Sequence, residues 1–321
     1  MDGTLIFSGN PLSRVDRELT DPAWLEASRA DPRGRYLLLH NLEAPVTAEE
    51  QPRLVWLASD QLPPTTGDPI VLGLDAGVPH FAVITSDAAE LDARADAAGP
   101  AGLTYFDART IASMLPVEEA AIVAQARAMV EWHQRNGFCP KCGGATSAIE
   151  GGARRVCSRC EARHYPRVDP SIIVLVERDG QALLAGRVGG PGGRKSCVAG
   201  FVEPGESIEE AVVREVFEET GVHVGGVQYS YSQPWPFPGV LMIGCRAVAH
   251  SSEIHVDGVE IGHADWYTRD QVRSALAGTS SELAVPAPLA IAHHLLNDWA
   301  SSTSDGASRE SAGSGGSAVS G

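Results

Sequence analysis

The sequence of 321 residues predicts an α/β protein with an N-terminal β-rich domain, a small cysteine-bearing segment and a C-terminal domain of strands with one prominent helix. Three observations predict it: short apolar runs in the first third, two CxxC pairs in the middle, and a helical pattern between Gly200 and Val222. We place the boundaries at residues 1–135, 136–166 and 167–300. The Ser/Gly-rich residues 301–321 are expected to be disordered.

The first domain is predicted from four apolar runs that are separated by Pro, Gly and Asp. These runs are YLLLH, RLVWLA, PIVLGLD and HFAVIT, and together they predict several strands. From Val117 to Arg135 the apolar residues recur at helical spacing, which predicts a helix that leaves this domain.

Composition indicates a globular protein, which we expect in the cytoplasm. The opening stretch MDGTLIFSGN lacks the basic and apolar regions of a secretory signal. The longest apolar stretch, SIIVLV, is far shorter than the roughly 18 residues of a membrane helix, so no membrane partner is expected. A net charge of −16 repels polyanions, so a phosphorylated ligand would need local basic residues or metal ions.

The four paired cysteines predict a structural zinc site. CPKC and CSRC place Cys139, Cys142, Cys157 and Cys160 in two pairs with fourteen residues between them. This spacing is typical of a tetrahedral Zn²⁺ site with no open position. A redox dithiol is the alternative for a single pair, and it rarely comes as two pairs at this spacing.

The segment around these cysteines is basic, with a net charge of +5 between residues 135 and 167. Two interpretations stay open: a solvated surface, or a patch that faces phosphates of a dinucleotide or of RNA. Its basic residues are Arg135, Lys141, Arg154, Arg155, Arg159, Arg163 and Arg167.

The stretch GFVEPGESIEEAVVREVFEETGV contains a helix that carries clustered carboxylates. Ser207 and Glu210 form a predicted capping box, so the helix should begin near Ile208 and end at Gly221. Glu215, Glu218 and Glu219 then share one face, where like charges repel unless a cation meets them. A solvated acidic face is the alternative, but the adjacent Gly-rich turns favour a Mg²⁺ or Mn²⁺ site. Arg214 is placed to hold one of the glutamates by a charge-assisted hydrogen bond.

This stretch resembles the Nudix box, G-x5-E-x7-R-E-U-x-E-E-x-G-U, at every constrained position. The matching residues are Gly200, Glu206, Arg214, Glu215, Val216, Glu218, Glu219, Gly221 and Val222. The resemblance implies an α/β/α sandwich that hydrolyses a nucleoside diphosphate linked to another moiety, with Mg²⁺ or Mn²⁺ bound by the three glutamates. Such chemistry needs a base that takes a proton from water. We assign that role to Glu219, with Glu218 as the alternative.

A second stretch, SQPWPFPGV from Ser232 to Val240, resembles the signature S-Q-P-W-P-F-P-x-S of the NADH pyrophosphatase (NudC-type) branch. The prolines preset the backbone of what we expect to be a loop, so that Trp235 and Phe237 are held to stack on bases and Gln233 can read a ligand edge. Val240 departs from the signature because it replaces the final serine. The missing hydroxyl puts substrate affinity or preference in question, but not the hydrolysis.

The same resemblance implies further site residues. It makes Glu260 and the carbonyl of Ala199 additional ligands of the catalytic metal. The implied substrate contacts are Tyr165, Phe201, Ala292, Arg109 and the loop residues Gln233, Pro234, Trp235, Pro236, Phe237, Pro238, Gly239 and Val240.

The sequence therefore predicts an enzyme that hydrolyses NADH or NAD to nicotinamide mononucleotide and AMP, with NAD-capped RNA as a further substrate. Two alternatives remain: a Nudix diphosphatase for ADP-ribose or another dinucleotide, and a nucleotide- or RNA-binding protein that has lost activity. The intact carboxylate set speaks against the second. The resemblance also implies a homodimer.

Overall fold

The computed structural model describes residues 5–62, 68–85, 103–190 and 193–302. The predicted disordered tail lies outside the described residues from 303 onward. The chain forms two compact units: Met1–Ser171 with Tyr231–Ile243, and Ile172–Ser230 with Gly244–Gly321. The SQPWPFPGV stretch thus belongs to the first unit, and the domain boundaries placed from the sequence stay predictions.

The first unit contains a five-stranded sheet in the order β3-β4-β1-β2-β5. β1 lies parallel to β4, and the other neighbours are antiparallel. Leu37 and Phe81 are fully buried in its core, and Tyr36 stacks on Phe81 with ring centroids 4.7 Å apart. The strands are β1 (Arg35–His40), β2 (Glu43–Thr47), β3 (Ile70–Asp75), β4 (Val78–Thr85) and β5 (Leu103–Asp107).

Three of the four apolar runs form strands, since YLLLH lies in β1, PIVLGLD in β3 and HFAVIT in β4. The fourth run, RLVWLA, forms no strand. Leu54 and Leu57 make only isolated bridges, to Val46 and Tyr36, although both leucine side chains are buried. A short apolar run indicates that its side chains are buried, but buried side chains occur both in strands and in irregular segments.

Three helices accompany this sheet: α1 (Pro22–Ala30), α2 (Ala108–Ile111) and α3 (Val117–Arg135). α1 was not expected in a β-rich domain, but Asp21 caps it by accepting a hydrogen bond from the Ala23 amide at 2.9 Å. The predicted helix over Val117–Arg135 is confirmed with the same bounds. α3 packs on β3 and β4 through a buried stripe that includes Ala120 and Ala124.

The cysteine-bearing segment folds into a three-stranded antiparallel sheet of β6 (Thr146–Ile149), β7 (Arg154–Cys157) and β8 (Arg163–His164). His133 of α3 joins it by two contacts, from Nε2 to the Gly152 carbonyl at 2.7 Å and from Nδ1 to Arg155 Nη1 at 2.8 Å. Burial lowers the pKa of His133, which keeps the ring neutral beside the guanidinium.

The C-terminal sheet has strands in the order β12-β13-β9-β10-β14, and β11 pairs with β9. α4 packs against β11 and β14, while α5 packs against α6 and β14. None of the described helices combines the length and the apolar character that crossing a membrane requires. The elements are β9 (Asp169–Arg178), β10 (Gln181–Arg187), β11 (Val198–Phe201), α4 (Ile208–Thr220), β12 (Val224–Trp235), β13 (Val240–Ala249), β14 (Ile261–Thr268), α5 (Arg269–Leu276) and α6 (Ile291–Ser301).

Candidate active site

Helix α4 carries the three clustered glutamates, and both of its ends form as predicted. Ser207 Oγ accepts a hydrogen bond from the Glu210 amide at 3.2 Å, and the Glu210 carboxylate accepts one from the Ser207 amide at 2.7 Å. This capping box satisfies two free amides at the start of the helix. Gly221 ends the helix in the left-handed conformation, at a φ of 69° that a glycine adopts without strain.

Arg214 organises the carboxylates around it. Its Nε and Nη2 donate to the two oxygens of Glu206 at 2.7 and 2.9 Å, and Nη2 also donates to the Phe201 carbonyl at 2.9 Å. Its Nη1 lies 2.9 Å from Glu215 Oε1 and 3.1 Å from Glu218 Oε2. The hydrogen bond from Arg214 lowers the pKa of Glu206 to about 2. One guanidinium therefore contacts three carboxylates, where the sequence suggested a contact to one.

The Glu215 carboxylate lies directly against the backbone of Gly200. A Cβ atom at Gly200 would come within 2.0 Å of both Cδ and Oε1 of Glu215. Any other residue there would displace the carboxylate, because no real Cβ contact is that short. Gly200 is thus required for the observed position of the Glu215 carboxylate.

Glu219 is buried and forms no ion pair with any other residue that the structure describes. Its Oε2 is inaccessible to solvent and has no hydrogen-bond partner among the described residues. Burial, helped by the negative charges of Glu215, Glu260 and Asp257, raises the pKa of Glu219 to about 7, and Arg187 opposes this rise. An ionised carboxylate in such a place needs a bound cation. The hard oxygen donors around it fit Mg²⁺ or Mn²⁺.

The carboxylates are near one another but are not already gathered around a common point. Among the described residues, the four cysteines form the only group of three or more such side chains whose ligand atoms lie within 4.8 Å of one another. Glu218 is held by Arg214, and its side chain is 59% exposed. Binding a metal ion with all the predicted ligands would therefore require side-chain rotation. The ligand roles of Glu215, Glu218, Glu219, Glu260 and Ala199 stay predictions.

The four cysteines converge as a zinc site requires. Cys139 and Cys160 have sulfur atoms 3.7 Å apart, and those of Cys142 and Cys157 are 3.5 Å apart. Backbone hydrogen bonds from Cys160 and Arg159 lower the pKa of the Cys157 thiol to about 6. Four sulfurs at these separations fit a tetrahedral Zn²⁺ ion with Zn–S bonds of about 2.3 Å. The structure thus supports the zinc prediction, and a redox pair would not need the second CxxC.

The basic residues around the zinc site are mostly engaged within the first unit. Glu150 pairs with both Arg154 and Arg163, the latter at 3.0 Å. Arg167 pairs with Asp169 at 2.7 Å. Six of the seven basic residues have such partners, and the other three pairs are Arg135 with Glu131, Arg155 with the Thr146 carbonyl, and Arg159 with the Cys142 carbonyl. Four of the six pair with a carboxylate, and Arg154 and Arg163 share Glu150, so the positive charge is only partly compensated and both interpretations of the segment stay open.

The aromatic hairpin, Ser232–Val240, is only partly the loop that the sequence suggested. Ser232 to Trp235 form the end of β12, and only the turn 236–239 lies outside strands. β12 is an edge strand of the sheet. An edge position tolerates Pro234, whose missing amide would break a ladder in a central strand.

The two rings of the hairpin are held by side chains of the first unit. Trp235 and Phe237 meet edge to face at 5.4 Å, and Phe7 packs edge-on against each at 6.0 Å. The Arg109 guanidinium lies 5.4 Å from the Trp235 ring centroid and 4.6 Å from that of Phe237. Arg127 lies 4.6 Å from the Phe237 centroid. Arg109 is therefore next to the rings that are predicted to bind substrate.

Family models match nearly the whole described chain. A NUDIX domain matches residues 166–285, an NADH pyrophosphatase zinc ribbon domain matches 134–165, and an NADH pyrophosphatase-like rudimentary NUDIX domain matches 33–132. The NAD-capped RNA hydrolase NudC of Mycobacterium bovis is 34% identical over 298 residues, which cover 89% of this chain and 90% of that protein. This chain belongs to the NudC-type NADH pyrophosphatases of the Nudix family. The family match thus extends into the N-terminal third of the chain, where the sequence motifs gave only a weak resemblance.

Two other relatives of this NudC-type chain match a smaller part of it. Human NAD-capped RNA hydrolase NUDT12 is 50% identical over 196 residues, which are 58% of this chain and 42% of that protein. Mouse mitochondrial NAD(P)H pyrophosphatase NUDT13 is 38% identical over 210 residues, which are 62% of this chain and 60% of that protein. The chain thus spans less than half the length of the human relative.

The hairpin of this NudC-type chain borders a cavity of about 860 Å³ within the first unit. This volume lies in the range of small-molecule sites. Val240, which replaces the serine of the family signature, lines the cavity and is 9% exposed. The other walls come from the N-terminal segment, β3 and α3, through residues such as Phe7, Leu72, Ala124 and Ala128.

The remaining predicted substrate contacts differ in accessibility. Tyr165 and Phe201 are open, at 57% and 56% exposed, and the Arg154 guanidinium lies 5.4 Å from the Tyr165 ring centroid. Gln233 is fully buried and donates from Nε2 to the Ile6 carbonyl at 3.0 Å, so its amide is directed at the protein backbone. Ala292 is 1% exposed within α6. The contact roles of these residues stay predictions.

Two residues near Glu219 were not found from the sequence. Asp257 accepts hydrogen bonds from the amides of Val259, Glu260 and Ile261 at 3.2, 3.0 and 2.9 Å, which folds the loop that carries Glu260. Arg187 ends β10 at a bulge in its pairing with β14. The Asp257–Gly258 dipeptide, a common turn former, was the available signal for the first. No local signal marked Arg187.

Proposed function

We propose that this chain hydrolyses the diphosphate bond of NADH or NAD to nicotinamide mononucleotide and AMP, and that it removes NAD caps from RNA in the same way. The observation that carries the proposal is the buried Glu219 carboxylate, whose Oε2 lacks a partner among the described residues on a complete Nudix-box helix. The names of the relatives, which act on NAD-capped RNA or NAD(P)H, support the substrate class.

The residues that would hold the catalytic metal are Glu215, Glu218, Glu219 and Glu260, with the Ala199 carbonyl. When bound, Mg²⁺ or Mn²⁺ neutralises phosphoryl charge and lowers the pKa of a coordinated water. Arg214 would support this site from the side, because it orients Glu215 and Glu218 while Glu206 balances its charge.

Glu219 would act as the general base. Hydrolysis adds water across the bridging bond: the water oxygen bonds to one phosphorus, the bridging P–O bond breaks, and the two mononucleotides separate. Glu219 Oε2 would accept the proton of that water, since it is the unpaired oxygen in this cluster. Glu218 is the weaker candidate because Arg214 occupies its carboxylate and most of its side chain is in solvent.

The aromatic hairpin would bind the base or the nicotinamide. Stacking on a tryptophan or phenylalanine ring contributes about 1–3 kcal/mol per base and accepts any planar ring. Trp235 is held by Phe7 and Arg109, which reduces the entropy lost when a ligand binds. A homodimer, a cytoplasmic location and the domain boundaries at 135, 166 and 300 also belong to this proposal, and the family resemblance supports the dimer.

A substrate panel tests this function. NADH, NAD, ADP-ribose and an NAD-capped RNA would each be incubated with the zinc-loaded protein and either Mg²⁺ or Mn²⁺. We expect AMP in equal amounts with nicotinamide mononucleotide from NAD and with its reduced form from NADH, and a 5′-monophosphate RNA from the capped RNA. Turnover of ADP-ribose alone would contradict the proposal and would favour the alternative Nudix diphosphatase.

A further inference from the structure

Arg127 makes two contacts with the turn of the aromatic hairpin and a third within its own helix. Its Nη1 donates to the Pro236 carbonyl, and its guanidinium lies 4.6 Å from the Phe237 ring centroid. The same Nη1 pairs with Glu131 one helical turn further along α3. The arginine side chain is 11% exposed and the glutamate 7%, so the contacts form largely away from water. Desolvation makes both the cation–π contact and the charge-assisted hydrogen bond stronger than at a surface.

The turn that receives these contacts has few backbone hydrogen bonds: the Asp169 amide donates to the Gly239 carbonyl at 2.9 Å, while Phe7, Trp235 and Arg109 contact the Phe237 ring. Phe237 donates from its amide to the Trp235 carbonyl at 2.8 Å, a bond that spans only two residues. Pro236 and Pro238 have no amide hydrogen and can make no further ladder bonds. The hydrogen bond from Arg127 to the Pro236 carbonyl can therefore fix the position of the turn.

A third aromatic residue, Phe7, contacts both rings from a strained backbone conformation. Phe7 adopts a φ of 72°, a conformation that costs a residue with a large side chain about 1 kcal/mol or more. It is 2% exposed and packs edge-on against both Trp235 and Phe237. Packing that maintains such a backbone leaves the rings few alternative places.

From these contacts we infer that Arg127 is a positioning residue for dinucleotide binding: it sets the turn of the aromatic hairpin so that Trp235 and Phe237 face the ligand. The effect on dinucleotide binding rests on the proposed function, whereas the effect on the position of the turn rests on the contacts of Arg127 with Pro236 and Phe237 alone. Arg127 acts through the hairpin and touches no reacting atom in this account. The N-terminal domain thereby contributes to substrate affinity through α3.

The matched control is Arg53, which also pairs with a glutamate of α3. Its Nε donates to Glu119 at 2.6 Å, and its side chain is 61% exposed. Arg53→Gln therefore removes an arginine–glutamate pair from the same helix while leaving the hairpin untouched. In Arg127→Gln the pair of Glu131 with Arg135 remains, so the buried glutamate keeps a counterion and the fold is expected to persist.

The first measurement needs no substrate. Hydrogen–deuterium exchange of the hairpin amides should be about 5- to 20-fold faster in Arg127→Gln than in the wild type, as expected for the loss of one cation–π contact and one hydrogen bond. Arg53→Gln should leave this exchange unchanged. Equal exchange in Arg127→Gln and the wild type would overturn the inference, whether or not NADH is a substrate.

The second measurement is steady-state kinetics with NADH. Arg127→Gln should raise KM about 5- to 20-fold and leave kcat within about twofold, because uniform binding is lost. Arg127→Lys, which keeps the charge but not the planar group, should lie between. If the substitution only reduced the amount of folded enzyme, the apparent kcat would fall and KM would stay constant. Faster hairpin exchange with an unchanged KM would overturn the positioning role.

A double-mutant cycle assigns the effect to the ring contact. In a Phe237→Ala background, Arg127→Gln should raise KM less than it does alone, while Arg53→Gln should add independently. Full additivity of Arg127→Gln and Phe237→Ala would contradict the inference. If the wild type hydrolyses no NADH, the proposed function fails, and the exchange data still decide whether Arg127 holds the hairpin.

Discussion

Replacing Glu219 with glutamine should stabilise the protein when no divalent cation fills the catalytic site. The Glu219 carboxylate is buried near three other acidic side chains, and its pKa is raised to about 7 from an ordinary value of 4.5. Below pH 4.5 the group is protonated in both the folded and the unfolded chain and has no effect. As the pH rises from 4.5 to 7, only the unfolded chain ionises, so folding stability is progressively lost.

The magnitude follows from that difference in pKa. At about 1.4 kcal/mol per pH unit, the loss approaches about 3 kcal/mol at pH 8 and about 1 kcal/mol at pH 5.5. Glutamine has nearly the same shape and no charge, so it should recover most of this free energy. The gain in unfolding free energy should therefore be about 2 kcal/mol larger at pH 8 than at pH 5.5.

Urea unfolding of zinc-loaded protein without added Mg²⁺ or Mn²⁺ measures this gain at both pH values. Glu218→Gln is the matched control, because its side chain is 59% exposed and an exposed ion pair contributes only about 0–1 kcal/mol. Added Mn²⁺ should stabilise the wild type more than Glu219→Gln. A variant that is less stable than the wild type at pH 8, or a gain that does not depend on pH, would refute the assignment of Glu219 as a buried, uncompensated carboxylate.

Three further predictions concern single positions. Gly200→Ala should lower kcat about 10- to 100-fold by displacing Glu215, as substitutions of residues that orient metal ligands do. The control Gly137→Ala should leave kcat unchanged, because its added methyl meets nothing within 4 Å. Equal activity of the two variants would contradict the close packing of Glu215 on Gly200. Metal analysis should find one Zn²⁺ per chain and none in Cys157→Ser, whereas zinc retained in that variant would remove the cysteines as its site. Val240→Ser should raise kcat/KM for NADH about 2- to 10-fold through a new hydrogen bond; a flat or lower value would indicate that the valine serves a less polar ligand.

The sequence predicts well the features that neighbouring residues determine. The helix with Glu215, Glu218 and Glu219 begins and ends as predicted, because a capping box and a C-terminal glycine act within a few residues. The cysteine cluster is also predicted by nearby residues, because the two CxxC pairs lie close together in the sequence. The strand order in the five-stranded sheet and in the C-terminal sheet was not predicted, since it depends on pairing between distant segments.

The unpredicted parts of the site all come from long-range contacts. Gln233 is buried because its amide meets the Ile6 carbonyl, 227 residues earlier in the chain. Asp257 lies near Glu219 because its amide donates to the Glu219 carbonyl at 3.3 Å, and Arg187 comes near from the end of β10. The contacts of Arg127 to the hairpin span 109 residues. No period or motif in the sequence reports such proximity.

The most direct test of the central claim is the turnover number of Glu219→Gln with NADH, measured at saturating Mn²⁺ and pH 8. The account predicts that kcat falls by about 10²–10⁴-fold, which is the usual contribution of a positioned general base. Since bound Mn²⁺ should stabilise the wild type more than the variant, far-UV circular dichroism in the assay buffer checks that both proteins are folded, so that unfolding does not explain the loss. A kcat within a few-fold of the wild type would contradict the account and would move the base elsewhere, first to Glu218.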